Sequence, residues 1–491
     1  MNAAVALGIV AVVLVATLGI GVVGSRGKTR DAAGFVLGGR SFGTLFLWIL
    51  LAGEIYTSFT FLGAAGWAYG KGAPAFYILC YGAVAYVISY FLLPPIWRVA
   101  HARSLFTGPD FFVVQYESRA LGGLVALVGF VFLVPYATLQ LTGVQVLLEI
   151  AGYGAFGSAL SVAVAFALVT VFVFASGLRG TALASVIKDA LVLLAVLFAG
   201  IALPIRFFGS PAHVLDTIVA TKPAWLVLAG PSASYGTTWF VSTVILTACG
   251  FYMFPQALAA VYAAKSDDVL RRNAIALPLY QLMLLLVYFA GFTALLVVPG
   301  LRGTAADRSF MLVVQRYYPP WLLGLVASAG VLAGLVPASA QILAAASIVA
   351  KNVLADYGLV RSDAQQTRAT RVLVLVVALL AFGFWAFAKT TLVGLLLIAY
   401  NGVTQLFPGV VLSFVRPRPP AAAVAAGIVT GVAALVVFAA RGTSAAGGLN
   451  VGIVALALNA TVLFVVWIAA RRRNSAANRE RSVANPSERH L

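Results

Sequence analysis

Residues 52–72 read AGEIYTSFTFLGAAGWAYGKG, an apolar stretch that carries one carboxylate, a cluster of hydroxyls and several glycines. It belongs to an apolar run over 44–69, and a helix of about 20 such residues crosses the hydrocarbon core of a bilayer. A charged side chain at that depth costs about 2.5–3.5 kcal/mol even on the most lenient insertion scale. We therefore expect Glu54 to have a function, and we expect the hydroxyls and glycines around it to interrupt the helix.

A second interrupted stretch starts at residue 247 and reads TACGFYMFPQALAAVYAAKS, with Gly250 and Pro255 in its middle. Proline removes one main-chain hydrogen bond from a helix, and freed main-chain groups at membrane depth are tolerated only beside protein or a polar cavity. Two interrupted helices in corresponding halves of a chain are typical of a transporter that binds its solute at the middle of the membrane. The alternative is a pair of packing kinks with small residues at helix contacts.

The whole chain is unusually apolar. Of its 491 residues, 62% are hydrophobic and 9% are charged, whereas about 25% are charged in a soluble domain. Membrane strands are not expected, because the apolar runs are too long and do not alternate. We predict an all-α integral membrane protein with about thirteen transmembrane helices. The predicted spans are 3–24, 44–69, 75–97, 120–148, 156–178, 184–207, 236–264, 274–298, 321–350, 372–388, 390–415, 421–440 and 449–470.

The basic residues predict the orientation. With the N-terminus outside, 24 of the 32 lysines and arginines fall on inside segments, and cytoplasmic loops are the ones enriched in these residues. The net charge of +18 is then an orientation signal, and no nucleic-acid partner is expected. Arginine outnumbers lysine, which indicates a GC-rich bacterium, so we expect the bacterial inner (plasma) membrane, with the C-terminus in the cytoplasm. The basic tail, 471–491, is expected to be disordered and to contact anionic lipid.

Other functions fit the sequence less well. The two cysteines lie in apolar runs and the three histidines are scattered, so neither a disulfide framework nor a zinc site is expected. Gly39–Gly43 fits G-x-S-x-G, but it lies between two membrane helices with no strand or partner histidine. We expect no enzyme, no cofactor other than a coupling ion, and no obligate protein partner. A channel, or a sensor on a transporter-like bundle, is the alternative class, although the tail is too short for an output domain.

Four segments, in this order along the chain, resemble motifs of the sodium/solute symporter family. They cover about 37–415, and the family implies a LeuT-type fold with two inverted repeats of five helices, one leading helix and two trailing helices. The four segments are Leu37-Gly38-Gly39-Arg40-Ser41, Ser176-Gly177-Leu178-Arg179-Gly180, Gly250 to Gln256, and Asn401-Gly402 with Phe407-Pro408.

The resemblance implies five parts along the chain. They are a leading helix and loop (1–43), a first repeat (44–207), a second repeat (236–415), two trailing helices (421–470) and the cytoplasmic tail (471–491).

Within the family, Gly53–Gly63 and Leu335–Ser339 look most like the monocarboxylate permease branch. That branch implies a symporter of a short carboxylate such as lactate, pyruvate or acetate; another solute such as an amino acid is the alternative. No Lys or Arg is expected at mid-membrane, so half-helix N-termini, hydroxyls and amides would hold the anion. The predicted substrate-binding residues are Tyr56, Thr57, Tyr252, Gln256 and Asn401.

The sequence departs from the family at its sodium site. The family uses a Ser/Thr pair on span 9 together with main-chain carbonyls from the break of span 2. Here the pair falls on Val336–Pro337, or on Pro337–Ala338 if the alignment shifts by one, and neither pair offers a hydroxyl. Proton coupling or uniport is therefore favoured over sodium coupling, and both ions stay open.

The residues predicted for ion coupling are Glu54, Gly53, Lys188 and Ser339. In some proton-coupled transporters of the LeuT fold, a lysine from the corresponding helix takes the place of sodium, and Lys188 lies one turn past the position of the family's span 6 aspartate, which is Ser185 here. The alternative is a solvated lysine beside Asp189. Three roles are open for Glu54: a proton carrier, a hydrogen-bonded neutral acid, or the partner of a cationic substrate. Ser339 would restore a sodium ligand if its helix were rotated.

Overall fold

The computed structural model describes residues 1–25, 42–232 and 234–484, nearly all of them in helices. Within this part of the chain, ten helices are long and apolar enough to cross a membrane, and two bent helix pairs raise the number to twelve. The predicted fold class is confirmed, whereas the count of thirteen spans is not.

The first half of the chain starts with one helix, then a broken helix, then six further helices of different lengths. Its helices are α1 (Asn2–Ser25), α2 (Thr44–Ile55), a π-helical turn (Phe59–Ala64), α3 (Ala65–Lys71), α4 (Tyr77–Ala102), α5 (Gly108–Tyr116), α6 (Arg119–Ala151), α7 (Ser158–Leu197), a π-helical turn (Phe198–Ala202), α8 (Leu203–Phe208) and α9 (Pro211–Thr221).

The second half again starts with a broken helix and ends with the two trailing helices around a two-residue hairpin. Its elements are α10 (Thr237–Gly250), α11 (Pro255–Tyr262), α12 (Asp267–Gln281), α13 (Leu284–Val297), α14 (Ser309–Tyr317), α15 (Pro320–Val349), α16 (Asp363–Phe387), α17 (Leu392–Val403), α18 (Phe407–Leu412), α19 (Ala421–Ala440), β1 (Ala445–Ala446), β2 (Leu449–Asn450) and α20 (Val451–Ala484).

The first break separates α2 from the π-helical turn at Phe59, and the two parts are bent by 49°. Hydroxyls take over the main-chain hydrogen bonds that the break removes. The Thr60 hydroxyl accepts from Thr57 N at 2.8 Å and donates to Ile55 O at 2.8 Å, and the Thr57 hydroxyl accepts from Phe59 N at 3.2 Å. Because unpaired main-chain groups are costly away from water, this cluster is what makes a break without proline tolerable.

The second break separates α10 from α11, with a bend of 46°. Gly250 ends α10, and a Cβ atom at Gly250 would collide with the Thr404 hydroxyl. Pro255 begins α11, where its missing N–H costs nothing because the first turn of a helix leaves its N–H groups unpaired. Both predicted interruptions are therefore present.

Two predicted spans, 156–178 and 184–207, are not separated by a loop. One helical run, α7, covers Ser158–Leu197, and the side chains of 175–182 lie outside the described residues, as does the motif at 37–41. In the part of this run whose side chains are described, Ser158–Phe174 is a shorter apolar helix and the candidate span begins at Leu183, so the predicted span 156–178 is not confirmed as a separate crossing.

The tail prediction is wrong for its first part. Helix α20 continues from the membrane span to Ala484, where disorder was expected from Arg471 onward. Alanine and arginine recur in this segment, and both are strong helix formers, so the polar segment propagates the helix that the span begins.

Candidate substrate and ion site

The Lys188 ammonium lies at the first break. Its Nζ donates to Gly53 O at 2.9 Å and to Tyr56 O at 3.4 Å, two carbonyls that the end of α2 leaves without helical partners. The side chain is fully buried. The expectation that no Lys or Arg reaches mid-membrane is therefore wrong: the long side chain carries its charge from α7 into the break.

A glycine makes room for this ammonium. A Cβ atom at Gly53 would lie 3.0 Å from Lys188 Nζ and 3.5 Å from the Ser185 hydroxyl. Position 53 thus acts through its missing side chain, and the carbonyl of the same residue accepts the shortest hydrogen bond of Lys188 to the break.

Asp189 completes the surroundings of the ammonium. Its Oδ1 lies 2.7 Å from Lys188 Nζ, and its side chain is 11% exposed while that of Lys188 is 0% exposed. An ammonium group has three N–H donors, and three acceptors surround it here: two carbonyls and one carboxylate. The predicted alternative, a lysine beside Asp189, is right about the neighbour, but the lysine is not solvated.

Helix α15 contains the positions where the resemblance places the family's sodium-binding hydroxyl pair. Here, positions 336–338 carry no side-chain oxygen. Val336 packs with Phe172 and Ala184 in a small apolar cluster, Pro337 lies inside the helix, and Ala338 is fully buried. The Ser339 hydroxyl donates to Val336 O at 2.7 Å, within its own helix.

Glu54 links the two breaks. Its Oε2 accepts from Gln256 Nε2 at 3.4 Å, so the end of α2 is joined to the first turn of α11. Gln256 Oε1 is buried and accepts no hydrogen bond within the described part of the chain. A buried acceptor without a donor is suited to a solute that brings a hydrogen-bond donor from outside the protein.

A group of packed aromatic side chains, called the aromatic wall below, lies between the two breaks and includes Tyr56, Tyr86, Phe251, Tyr252 and Tyr280. Tyr56 packs edge-on against Tyr280, with ring centroids 4.7 Å apart, and Tyr86, whose hydroxyl bonds Gln281 at 3.3 Å, packs on Phe251 at 5.8 Å. Tyr252 contacts the same Phe251 ring at 4.9 Å.

Further aromatic rings close this wall. Tyr400 packs on Tyr81 at 5.6 Å and on Phe254 at 5.1 Å, and Tyr136 lies 5.1 Å from Phe254. Tyr81 and Tyr86 were missed, although their spacing of five residues in an apolar run was visible in the sequence.

The five predicted substrate residues separate into two groups. Tyr56, Tyr252 and Gln256 lie around the two breaks, whereas the Thr57 hydroxyl is used by the main chain. Asn401 points away, because its Oδ1 lies against Gly452 of α20, where a Cβ atom would collide with it.

A small apolar cavity reaches the second break from the side of α5. It has a volume of about 10 Å³ and is lined by Gly108, Pro109, Phe112, Met253, Pro255 and Leu258, among others. That volume holds about one water molecule, so the cavity has no room for an organic solute.

The comparison with known proteins agrees with this architecture. A family model, the sodium:solute symporter family, matches residues 35–431. The uncharacterized symporter YhjB of Bacillus subtilis (strain 168) is 42% identical over 488 residues, which are 97% of this chain and 99% of that protein.

Two more distant proteins extend the comparison. A monocarboxylate transport permease protein of Rhizobium johnstonii is 28% identical over 366 residues, 73% of each chain. The structure of a Na+-coupled sialic acid symporter superposes with a TM-score of 0.76 at 15% sequence identity, covering 94% of this chain and 96% of that one, so the LeuT-type fold expected from the resemblance is confirmed. The chain belongs to the sodium:solute symporter family, and it is a multi-pass, secondary-active membrane transporter.

Proposed function

We propose that this protein is a proton-coupled symporter of a small organic anion, in which the Lys188 ammonium takes the place of the coupling sodium ion. One observation carries the proposal: Lys188 Nζ lies on the two carbonyls of the first break, Gly53 O and Tyr56 O. In the family, carbonyls of this break are sodium ligands.

The chemistry of the surrounding residues supports a proton over sodium. A sodium ion needs several oxygen ligands to replace its water shell, and positions 336–338 supply none from their side chains. An ammonium needs only three acceptors, and it has them. A sodium ion cannot share the two carbonyls with Lys188, because two positive charges at that separation in a buried site repel strongly.

Protonation then controls how the helices are joined. A charged Lys188 ties α7 to the first break through charge-assisted hydrogen bonds, which are about twice as strong as neutral ones. A neutral amine keeps weaker bonds, so α7 and α2 separate more easily. If substrate binding and protonation both favour the same arrangement of α7 and α2, the two together shift the protein between its two arrangements, and the site is exposed alternately to the two sides of the membrane.

The anion class rests on the donors at the site and on one relative. Tyrosine hydroxyls and the first turn of α11 supply donors between the breaks, and a helix N-terminus favours negative charge. The relative from Rhizobium johnstonii carries the name of a monocarboxylate permease, which supports lactate, pyruvate or acetate as the first solutes to try. We also infer that the N-terminus is outside and the basic C-terminus is cytoplasmic.

Sodium coupling is the second candidate, because the family model and the superposed symporter are both described by sodium. Purified protein in liposomes separates the two. Uptake of labelled lactate, pyruvate, acetate and proline is measured under an imposed pH gradient in sodium-free buffer, and under a sodium gradient at equal pH with the voltage clamped. We expect accumulation of a carboxylate with the pH gradient alone. Accumulation driven by sodium, with no response to pH, overturns the proposal.

A further inference from the structure

Among the described acceptors that contact the Lys188 ammonium directly, one can take its proton. Of its three acceptors, Gly53 O and Tyr56 O are amide carbonyls, which do not hold a proton near neutral pH. The third is the Asp189 carboxylate, whose Oδ1 is 2.7 Å from Nζ. A proton that leaves Lys188 directly therefore goes to Asp189.

Asp189 is the less enclosed member of the pair, although both of its carboxylate oxygens are themselves buried. Its side chain is 11% exposed, whereas that of Lys188 is completely enclosed. Neither carboxylate oxygen has a hydrogen-bond partner that would hold it in the ionised form within the described residues, apart from the ion pair itself. A buried ion pair without such support is poorly compensated for its lost hydration, so the transfer of one proton within the pair, which removes both charges, is accessible.

Two other titratable groups act on the pair from the helices packed around α7. Glu54, at the end of α2, lies close enough for its charge to act on Lys188. Tyr280, on α12, is influenced by the charge of Asp189, and its hydroxyl has no hydrogen-bond partner in the described part of the chain. Free tyrosine titrates only near pH 10, so Glu54 is the competing group at neutral pH.

We propose that Asp189 is the proton relay of the ion site, an inference that rests on the proposed proton coupling. The Nζ–H bond of Lys188 breaks and an Oδ1–H bond forms on Asp189, which leaves a neutral amine and a neutral carboxylic acid. When the helices rearrange, the acid gives its proton to water on the side that has opened, and the reverse sequence loads the site. Asp189 is thus a positioning and relay residue that acts through Lys188.

The test compares Asp189→Asn with Asp189→Glu. Both variants are reconstituted and supplied with the labelled carboxylate that wild-type protein accumulates. A gradient of one pH unit corresponds to about tenfold accumulation for one coupled proton, because 1.36 kcal/mol is a factor of ten. We expect Asp189→Asn to lose this accumulation while it retains counterflow exchange at equal pH, to within about threefold of wild type, and Asp189→Glu to restore accumulation with a shifted pH profile.

Several results overturn the relay. One is wild-type accumulation by Asp189→Asn; another is loss of counterflow in both variants, which indicates a structural counter-ion. If Asp189→Asn does not fold, the pH profile of Asp189→Glu decides, and an unshifted profile contradicts the relay. If the wild-type protein accumulates none of the four solutes, infrared titration of the substrate-free protein decides: the protonated-carboxyl signal must differ between wild type and Asp189→Asn.

The failure of the relay and the failure of proton coupling give different results. Sodium-driven uptake by wild-type protein at equal pH removes the proposed function and the relay together. Proton-driven uptake by both wild type and Asp189→Asn removes only the relay.

Discussion

The two broken helices reach nearly the same bend, 49° and 46°, by different means. At the first break, hydroxyls of Thr57 and Thr60 hold the main chain, and two carbonyls are left for the Lys188 ammonium. At the second break, Gly250 and Pro255 shape the main chain. The first break therefore holds a cation. At the second break, the bend is set by the main chain, and it positions the side chains of Tyr252 and Gln256.

The largest effect is expected when the first break loses its cation. Lys188→Ala removes the charge and leaves Gly53 O and Tyr56 O without their buried donor, so proton-driven accumulation should fall at least about tenfold, which corresponds to 1.4 kcal/mol. Liposome uptake under a pH gradient measures it, with Lys265→Ala, a change at an exposed lysine, as the control. Accumulation at the wild-type level by Lys188→Ala contradicts the role given to this break.

The second expected effect is on stability. Thr60→Val removes the hydroxyl that pairs Thr57 N and Ile55 O, so Thr57 N keeps only its longer bond of 3.2 Å to Ile55 O. The loss of such a hydrogen bond costs about 0.5–1.5 kcal/mol. Thermal unfolding in detergent should show a clear loss for this variant. The matched change Thr142→Val removes only a hydroxyl that donates to Thr138 O of its own helix and should show little; equal losses for both variants would mean that the hydroxyl cluster does not hold the break.

A smaller change is expected at Gly53. In Gly53→Ala the new Cβ lies 3.0 Å from Lys188 Nζ, and the flexible end of the lysine moves by a few tenths of an ångström. The hydrogen bond to the carbonyl lengthens, so uptake should fall a few-fold, by about 0.5–1 kcal/mol, and its pH profile should shift. Gly8→Ala, where a Cβ atom meets nothing within 4 Å, should behave as wild type.

The smallest effect is expected away from both breaks. Asn401→Ala should change the apparent KM for the transported solute by less than about twofold, since its side chain faces Gly452 and distant sites act nearly independently. Tyr252→Phe, at the second break, is the comparison and should change KM more. A larger effect of Asn401→Ala would place α17 closer to the solute than the structure does.

Much of this architecture could be predicted from local sequence. Apolar length predicts the spans, and glycine, proline and hydroxyls within a span predict the breaks, because each acts on its own main chain. The position of Lys188 Nζ could not be predicted in this way. It depends on how far a long side chain reaches across from α7 to α2, which is a matter of helix packing.

Asn401 is a second residue whose surroundings could not be predicted from the sequence. It follows Tyr400, which faces the aromatic wall, and one step along a helix turns a side chain by about 100°. Two neighbouring polar residues in a span therefore point to different surroundings, and only the packed structure shows which one faces the breaks.

Helix α20 has a mechanical consequence. At 34 residues and a rise of about 1.5 Å per residue it is about 51 Å long, whereas the hydrocarbon core is about 30 Å thick. The helix is therefore a rod that extends roughly 20 Å beyond the core. A fluorophore attached near Ala484 would swing through a larger arc than any point inside the bundle, so it would report small tilts of α20 during the transport cycle as a measurable change in distance.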